Sequence, residues 1–267
     1  MSDNARLKPR GVLNLAEGRQ NFHLDRALPA ADLEILVEHF WSVTWDLTGK
    51  EPYTSETLPH PSVHIVLEPG KSEIVGVMRG RFTRRLEGKG RVFGIKFLPG
   101  AFHAVCHEPV SRFTDRRIPA ADFFGAGWPH FEQKLFSGKD MHAMAKVAEE
   151  FLRIKKLSVS EEAMLVRRIV SRTFSDPTIL KVDTLCEKFS LSKRQMQRLF
   201  SVYAGVSPKW VIERYRMHEA LEKLAAEKPP DLATLAVSLG YFDQAHFQNA
   251  FRKMTGKSPG TYTRPSR

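Results

Sequence analysis

The spacing of apolar residues predicts a change from helix to strand within the first hundred residues. Between residues 31 and 41 the apolar positions recur at i, i+3, i+4 and i+7, as Leu33, Leu36, Val37 and Phe40. This spacing predicts a helix, with Asp32 as its cap. Short segments rich in β-branched and aromatic residues then predict strands at residues 62–67, 74–78, 80–86 and 91–98. The Gly-Lys-Gly at residues 88–90 is the predicted turn between the last two strands, which we expect to be antiparallel.

Helical spacing returns at residues 128–136 and 141–154, and it continues through almost everything after residue 161. Residues 1–27 follow neither period and are predicted to be irregular. Residues 48–61, rich in Pro, Thr, Ser and Gly, are predicted to be a loop. The best linker candidate is residues 155–161. The predicted organisation is an irregular tail (1–27), an α+β domain with a small antiparallel β unit (28–157) and an all-α domain (158–267).

An internal repeat organises the all-α domain. Residues 185–189 match residues 235–239 at an offset of 50, and GVSP at 205–208 matches GKSP at 256–259 at an offset of 51. Each copy predicts a short helix, a tight turn and a second helix that begins at a capping residue, Ser192 or Asp243. This is the pattern of a helix-turn-helix unit, and it is present twice.

The second helix of each copy has an apolar face and a polar face. The apolar faces are Met196, Leu199, Phe200 and Tyr203 in the first copy, and Phe247, Ala250, Phe251 and Met254 in the second. The opposite faces are Arg194, Gln197, Arg198 and Ser201, and Ala245, Gln248, Asn249 and Arg252. The apolar sets are predicted to pack inward and the polar sets to face outward.

Arginine can bond guanine through two hydrogen bonds, and glutamine or asparagine can bond adenine in the same way. A polar stripe on a helix that a turn directs outward therefore suits the major groove of DNA. Any solvated surface helix also has a polar face, so one stripe alone would not decide between the two interpretations. Two equivalent stripes behind two equivalent caps favour DNA reading.

Residues 208–226 are predicted to form one long helix between the copies, with Pro208 in its first turn. At 1.5 Å per residue, about 17 residues span roughly 25 Å. Such a helix could hold the two second helices nearly one DNA turn apart, about 34 Å. Nearby basic side chains are candidates for phosphate contacts: Arg172, Lys193, Lys209, Lys253 and Lys257.

Several strings in residues 178–264 carry a family resemblance. They include LGYFDQAHF at 239–247, RLF at 198–200, GVSP at 205–208, YR at 215–216 and GKSP at 256–259. With them, this segment resembles the DNA-binding domain of the AraC/XylS family of bacterial transcription regulators. The resemblance implies two helix-turn-helix units joined by a linker helix.

By the same resemblance, the first unit reads bases through Arg194, Gln197 and Arg198. The residues lining the second unit would be Gln244, Ala245, Gln248 and Asn249. The family often has a basic residue at the position of Asn249. The second unit is therefore expected to bind DNA more weakly, or to contact chiefly the DNA backbone.

The N-terminal part resembles sensor domains that precede this DNA-binding domain in some members of the family. The matching strings are FW at 40–41, WDL at 45–47, LPHP at 58–61, GIKFLPG at 94–100 and the stretch 115–125. The resemblance implies a regulatory or dimerising role for residues 28–157. It names no ligand, so the ligand-binding residues stay unknown.

Charge is uneven along the chain. The net charge is +11, and residues 160–267 carry 18 basic and 11 acidic residues against 23 and 19 in residues 1–159. This basic excess fits a polyanionic partner, although a merely soluble basic surface would show it too. The polar N-terminus predicts no secretory signal, and no apolar run approaches the ~20 residues of a membrane span, so we expect a cytoplasmic protein.

Other chemistry is weakly indicated. His103 and His107 could share a helix face near Cys106, but spacing offers no third metal ligand beyond the neighbouring His60 and His64, and no metal site is predicted. Two cysteines are too few for a disulfide framework or for a zinc-bound, methyl-accepting repair domain. Four aromatic residues either line an effector pocket or belong to the core: Trp41, Trp45, Phe93 and Phe97.

The sequence thus predicts a sequence-specific transcription regulator that binds double-stranded DNA and is controlled through its N-terminal domain. A small-molecule effector, a homodimer and RNA polymerase are further partners that the resemblance implies. No cofactor and no enzymatic activity are predicted, because the residues offer no convincing nucleophile–base pair. The alternative is a non-specific architectural DNA-binding protein.

Overall fold

The computed structural model describes residues 11–13 and 15–262. Its strands are β1 (Val12–Leu13), β2 (His23–Ala27), β3 (Val37–Leu47), β4 (Tyr53–Thr57), β5 (His64–Leu67), β6 (Glu73–Val75), β7 (Phe82–Leu86), β8 (Gly88–Phe97) and β9 (Arg117–Pro119). They form two antiparallel sheets, in the orders β1-β4-β7 and β2-β3-β8-β5-β6-β9. The predicted antiparallel β unit is confirmed and is larger than the sequence suggested.

The predicted helix at residues 31–41 is wrong. Ala31–Leu33 is a single 3₁₀ turn, and residues from Val37 onward form β3. A β-bulge between Val37 and His39 shifts the strand alternation, so that Val37 and Phe40 both face the core at a helix-like separation. Asp32 does not cap a helix; it forms a two-pronged ion pair with Arg153, at 2.7 and 2.9 Å.

The predicted turn at residues 88–90 is also wrong. These residues begin β8 and pair with residues 45–47 of β3, whereas β7 pairs with β4 in the other sheet. The Trp45 ring covers Gly90, where an added Cβ would lie 2.2 Å from the indole. Glycine at this position therefore reflects close packing against an aromatic ring rather than a turn.

Two segments expected to lack regular structure contain it. Residues 12–13 and 15–27 contain β1, the helix α1 (Leu15–Asn21) and β2, while residues 1–10 and 14 of the predicted tail lie outside the described residues. The predicted loop at 48–61 contains β4. β1 has only two residues and β4 is mostly polar, so the local sequence of neither strongly favours a strand. Pairing with a neighbouring strand stabilises both.

Helices cover the remainder of the N-terminal half. They are α2 (His103–Cys106), α3 (Ala120–Phe124), α4 (Trp128–Phe136) and α5 (Met141–Ile154). The predicted helices at 128–136 and 141–154 are confirmed. Asp140 caps α5 by accepting from the Ala143 amide, and α5 packs against β2 and β3 of the six-stranded sheet.

The C-terminal part is helical, as predicted. Its helices are α6 (Glu161–Ser175), α7 (Val182–Phe189), α8 (Lys193–Leu199), α9 (Pro208–Leu224), α10 (Leu232–Ser238), α11 (Gln244–Thr255) and α12 (Pro259–Tyr262). A π-helical turn, Phe200–Ala204, continues α8. None of the helices in residues 11–13 and 15–262 is long and apolar enough to cross a membrane.

The apolar packing is continuous from the N-terminal part into the first helix-turn-helix unit. One core cluster joins Phe93 and Phe97 of β8 to Met196, Phe200 and residues of α6. A second cluster holds the second unit together with Leu13 and Leu58 from the N-terminal part. The domain boundary at residue 157 stays a prediction, and both helix-turn-helix units lie against the N-terminal part.

Candidate nucleic-acid interface

The first unit is α7, a tight turn and α8. Ser190, at φ 53°, closes α7 in the left-handed region, and Ser192 begins α8. Ser192 Oγ accepts from the Gln195 amide, while Gln195 Oε1 accepts from the Ser192 amide over 2.8 Å. This capping box confirms the predicted start of the helix and directs its first turn away from α7.

The faces of α8 lie as predicted. Met196 and Phe200 are buried, and Leu199 and Tyr203 are half-buried. The exposed side chains form one polar stripe, consisting of Arg194, Gln197, Arg198 and Ser201. Their roles on DNA stay predictions; the structure shows that the first three are exposed.

Two of the predicted DNA-contacting residues already have partners within the protein. Ser201 Oγ donates to Ser111 Oγ over 3.3 Å, so the C-terminal end of the stripe meets the N-terminal part. Lys193 Nζ lies 2.7 Å from Asp183, and the hydrogen bond to this carboxylate, together with its charge, raises the pKa of the ammonium group. Lys193 stays cationic at neutral pH, but it must break its ion pair with Asp183 before it can bind a DNA phosphate.

The second unit repeats this construction with α10 and α11. Asp243 caps α11 by accepting from the His246 amide over 2.7 Å, as predicted. Phe247 and Phe251 are buried, and Ala250 and Met254 are half-buried. Of the predicted lining residues, Gln248 is half-buried, and the exposed ones are Gln244, Ala245, Asn249 and Arg252.

The helix α9 connects the two units and has 17 residues, which span roughly 25 Å. Ser207 caps it, and Pro208 occupies its first turn, as predicted. Its buried face contains a charged residue, Arg214, whose side chain is 1% exposed. Burial lowers the pKa of Arg214 to about 10, and the guanidinium stacks on Trp210 at 4.5 Å.

Most of the candidate phosphate contacts also carry an acidic partner. Arg172 pairs with Asp176 at 3.0 Å, and Lys209 lies 3.7 Å from Glu213. Lys257 lies 3.4 Å from Glu56 of β4. Lys253 on α11 is exposed, which makes it the most accessible of these candidates on the second unit.

A mainly apolar cavity of about 220 Å³ lies between the two sheets of the N-terminal part. Trp41 and Trp45 line it, whereas Phe93 and Phe97 are fully buried in the core behind its wall. Further lining side chains come from both sheets, including Leu24, Val43, Val66, Phe82 and Leu86, and from Met78 between β6 and β7. Of the four aromatic residues singled out in the sequence, two therefore line the cavity and two belong to the core.

A few polar groups face this cavity. Trp41 Nε1 donates to His64 Nδ1 over 3.2 Å, which requires that nitrogen to be unprotonated. Desolvation, together with the charges of Lys96 and Arg26, lowers the pKa of His64 to about 3. Lys96 Nζ donates to Glu38 over 2.9 Å. The cavity therefore combines apolar walls with charged groups of both signs, with Arg26 and Lys96 among the cations and Glu68 and Glu73 among the anions.

The histidines do not gather around a metal position. His103 packs against Tyr203 in a tilted arrangement with ring centroids 4.6 Å apart, and His60 stacks on His218 of α9 at 4.3 Å. Among the described residues there is no group of three or more His, Cys, Asp or Glu side chains placed to hold a metal ion. Cys186, which the repeat predicted to be a buried filler opposite Ala236, is instead half-buried.

Family models match two separate parts of the chain. Residues 25–119 match a domain of unknown function (DUF6597), and residues 185–265 match a helix-turn-helix domain. The second match covers both capped helix pairs described above. The chain carries a DNA-binding domain of the AraC/XylS family.

Relatives of this AraC-type domain are named as transcription regulators. The raffinose operon transcriptional regulatory protein RafR of Pediococcus pentosaceus is 30% identical over 78 residues, which are 29% of this chain and 28% of RafR. The activator RhaS of Pectobacterium carotovorum is 30% identical over 76 residues, or 28% of this chain and 27% of RhaS. The chain thus covers less than a third of the length of these relatives.

Two solved structures are also similar. A probable AraC family transcriptional regulator from Rhodopseudomonas palustris has a TM-score of 0.34 and 24% identity, over 38% of this chain and 97% of that one. ToxT from Vibrio cholerae has a TM-score of 0.39 and 10% identity, over 91% of this chain and 97% of that one.

Sequence reasoning missed the contacts between the two parts of the chain. Arg79, Arg81 and Thr114 of the N-terminal part all bond to the AraC-type domain. The available signal was Arg214, a charged residue at helical spacing from the apolar residues Val211 and Met217, because a buried arginine needs a partner. Its partner is a backbone carbonyl, which no residue pattern identifies.

Proposed function

We propose that the whole chain is a sequence-specific transcription regulator that reads two adjacent major-groove segments of double-stranded DNA. The observation that carries this proposal is the pair of equivalent, capped helices α8 and α11, each with its apolar face buried and its polar stripe outward. We call α8 the first recognition helix, α11 the second recognition helix and α9 the linker helix.

The two recognition helices differ in the chemistry they offer. The first presents Arg194 and Arg198, which suit guanine, and Gln197, which suits adenine. The second presents Gln244, Ala245 and Asn249, so it favours adenine and the methyl group of thymine. We expect the part of the site read by the first helix to contain guanine and to supply most of the specificity.

Contacts with the DNA phosphates would strengthen binding. Lys193, Arg252 and Lys253 would add positive charge next to the DNA backbone. The protein would act in the cytoplasm, where the DNA of a bacterial cell lies.

The cavity between the sheets supports control by a small molecule. Its volume of about 220 Å³ and its apolar walls suit a compact, mainly apolar ligand with a polar group near Lys96 or Arg26. The test is thermal-shift screening of the full chain against such compounds, followed by DNA-binding assays. A hit that Val66→Trp abolishes would locate the ligand in the cavity, and a hit that this variant retains would place it elsewhere.

Homodimerisation and contact with RNA polymerase remain further proposals, supported by the family alone. Sedimentation of the full chain tests the first, and co-purification with RNA polymerase on promoter DNA tests the second. Separate promoter studies would decide between activation and repression.

The decisive experiment for the proposed function is a selection from a random duplex library. A sequence-specific regulator recovers a common sequence with two sub-sites on one face of the duplex. A non-specific architectural protein binds with the same steep salt dependence but recovers no common sequence, and that result would overturn the proposal.

A further inference from the structure

The segment between β6 and β7, residues 76–81, joins the six-stranded sheet to the three-stranded sheet, and we call it the 76–81 connection. It contacts the linker helix directly. The Arg79 carbonyl accepts from Arg214 Nη2 over 2.7 Å and from Trp210 Nε1 over 3.3 Å. A buried arginine and an indole thus converge on one carbonyl of the N-terminal part.

The same connection contacts the second recognition helix. Arg81 Nη1 donates to the Thr255 carbonyl over 3.0 Å, at the last turn of that helix. Arg81 also pairs with Glu56 at 2.6 Å, and Glu56 lies 3.4 Å from Lys257 just beyond the helix. A guanidinium at the C-terminal carbonyls is favourable because it meets both their lone pairs and the negative end of the helix dipole.

The first recognition helix is held by a residue that is itself tied to the connection. Thr114 Oγ1 donates to the Gly205 carbonyl over 2.5 Å. The next residue, Asp115, accepts from the Arg79 amide over 2.7 Å and from Arg79 Nε over 2.6 Å. The Asp115 amide in turn donates to the Val77 carbonyl over 3.0 Å. Thr114 and the connection therefore form one hydrogen-bonded block.

The two recognition helices are held at equivalent places. Gly205 and Gly256 are related by the repeat offset of 51, and both have φ +77°. The block bonds the Gly205 carbonyl, just after the π-helical turn that continues the first helix, and it bonds the Thr255 carbonyl, one residue before Gly256, at the end of the second. It also bonds the linker helix between them.

We propose that this block sets the distance and orientation of the two recognition helices, with Arg81 and Thr114 as the positioning residues. The inference rests on the proposed function. Neither residue touches a polar stripe, so neither reads a base. Their role is to fix how far apart the two sub-sites lie, because joint binding is strongest when the spacing of the readers matches that of the sites.

The test repeats the random-duplex selection with the full chain and matched variants. Arg81→Met and Thr114→Val remove the two bonds to the recognition helices. Arg85→Met and Thr83→Val make the same chemical changes at exposed positions on β7. Thr114→Ser keeps the hydroxyl. Circular dichroism and thermal melting establish that each variant is folded before selection.

Wild type, both β7 controls and Thr114→Ser are expected to recover two sub-sites at one spacing. Arg81→Met and Thr114→Val are expected to recover the same sub-sites over several spacings. For these two variants, the affinity ratio between the selected spacing and one lengthened by half a helical turn should fall at least about tenfold. Their affinity for a duplex with only the first sub-site should match that of wild type.

A single spacing retained by both Arg81→Met and Thr114→Val would overturn this inference and leave the proposed function standing. A uniform loss of affinity on the single sub-site duplex would also overturn it, since it would indicate a general loss of the fold or of DNA contacts. A wild-type selection without any common sequence would instead reject the proposed function itself.

Discussion

Gly205 ends the π-helical turn that continues the first recognition helix, Gly256 ends the second recognition helix, and both have the same left-handed φ of +77°, but they face different neighbours. A Cβ added at Gly205 would lie 3.0 Å from the backbone carbonyl of Val110, in the N-terminal part. A Cβ added at Gly256 would lie 2.4 Å from Arg81 Nη1, the far end of a flexible side chain. Equivalent positions in the repeat therefore tolerate change differently.

Gly205→Ala is expected to destabilise the protein more than Gly256→Ala. Each alanine costs about 1–2 kcal/mol for the left-handed backbone. At Gly205 the clash with a fixed carbonyl adds about 1–3 kcal/mol, whereas Arg81 can move aside at Gly256. Urea unfolding of both variants measures the difference. Equal losses would show that the backbone near Val110 yields as easily as an arginine side chain.

Arg198→Ala is expected to reduce discrimination between the selected sequence and a scrambled duplex. A two-bonded arginine–guanine contact contributes about 1–3 kcal/mol, which corresponds to a fall of about 5- to 150-fold in the affinity ratio. Competition binding on both duplexes measures the ratio. Arg85→Ala on β7 controls for the loss of one positive charge. An unchanged ratio would remove Arg198 from the base readers.

Lys253→Gln is expected to weaken binding to the selected and scrambled duplexes by the same factor. A phosphate contact carries no sequence information, and its loss lowers the slope of log affinity against log salt by about 0.9. Binding titrations at several salt concentrations measure this slope. Lys50→Gln, in the exposed turn between β3 and β4, makes the same charge change elsewhere. If both variants lowered the slope equally, net charge rather than a local contact would be responsible.

Stability is expected to fall in mild acid because of His64. Its pKa is about 3 in the folded chain against an ordinary 6.5, so between these values the unfolded chain binds a proton that the folded chain excludes. The stabilising contribution is therefore complete above pH 6.5 and is lost as the pH falls towards 3. This linkage predicts a loss of about 2 kcal/mol between pH 7 and pH 5.

Urea unfolding at the two pH values tests this expectation. His64→Gln should lose less stability in acid than wild type, whereas His130→Gln, at an exposed position on α4, should keep the acid sensitivity of wild type. Equal acid sensitivity in wild type and His64→Gln would assign the effect to other groups.

The repeat made the C-terminal domain predictable because its signals are local. Caps such as Ser192 and Asp243 lie next to the helices they begin, and the apolar positions follow one period throughout. The strand β3 was not predictable in this way. Its bulge gives Val37 and Phe40 a helical separation, and pairing with β2 and with β8, some fifty residues away, makes this segment a strand.

The candidate site was likewise predictable from the sequence only in part. The polar stripe containing Arg194, Gln197 and Arg198 follows from helical spacing alone. The bonds from Arg81 and Thr114 do not, because each ends on a backbone carbonyl distant in sequence, and every residue except proline has the same backbone groups. Residue identity therefore indicates what could read DNA, and the tertiary structure indicates what holds the readers.

Met78 and Gly76 line the cavity, while Arg79 and Arg81 of the same short connection reach the linker helix and the second recognition helix. On the proposed function, a molecule that displaces Met78 would act on both recognition helices in one movement. Its effect on DNA binding would be cooperative. The spacing and orientation that the protein requires of the two DNA sub-sites would change together, so neither sub-site would be released on its own.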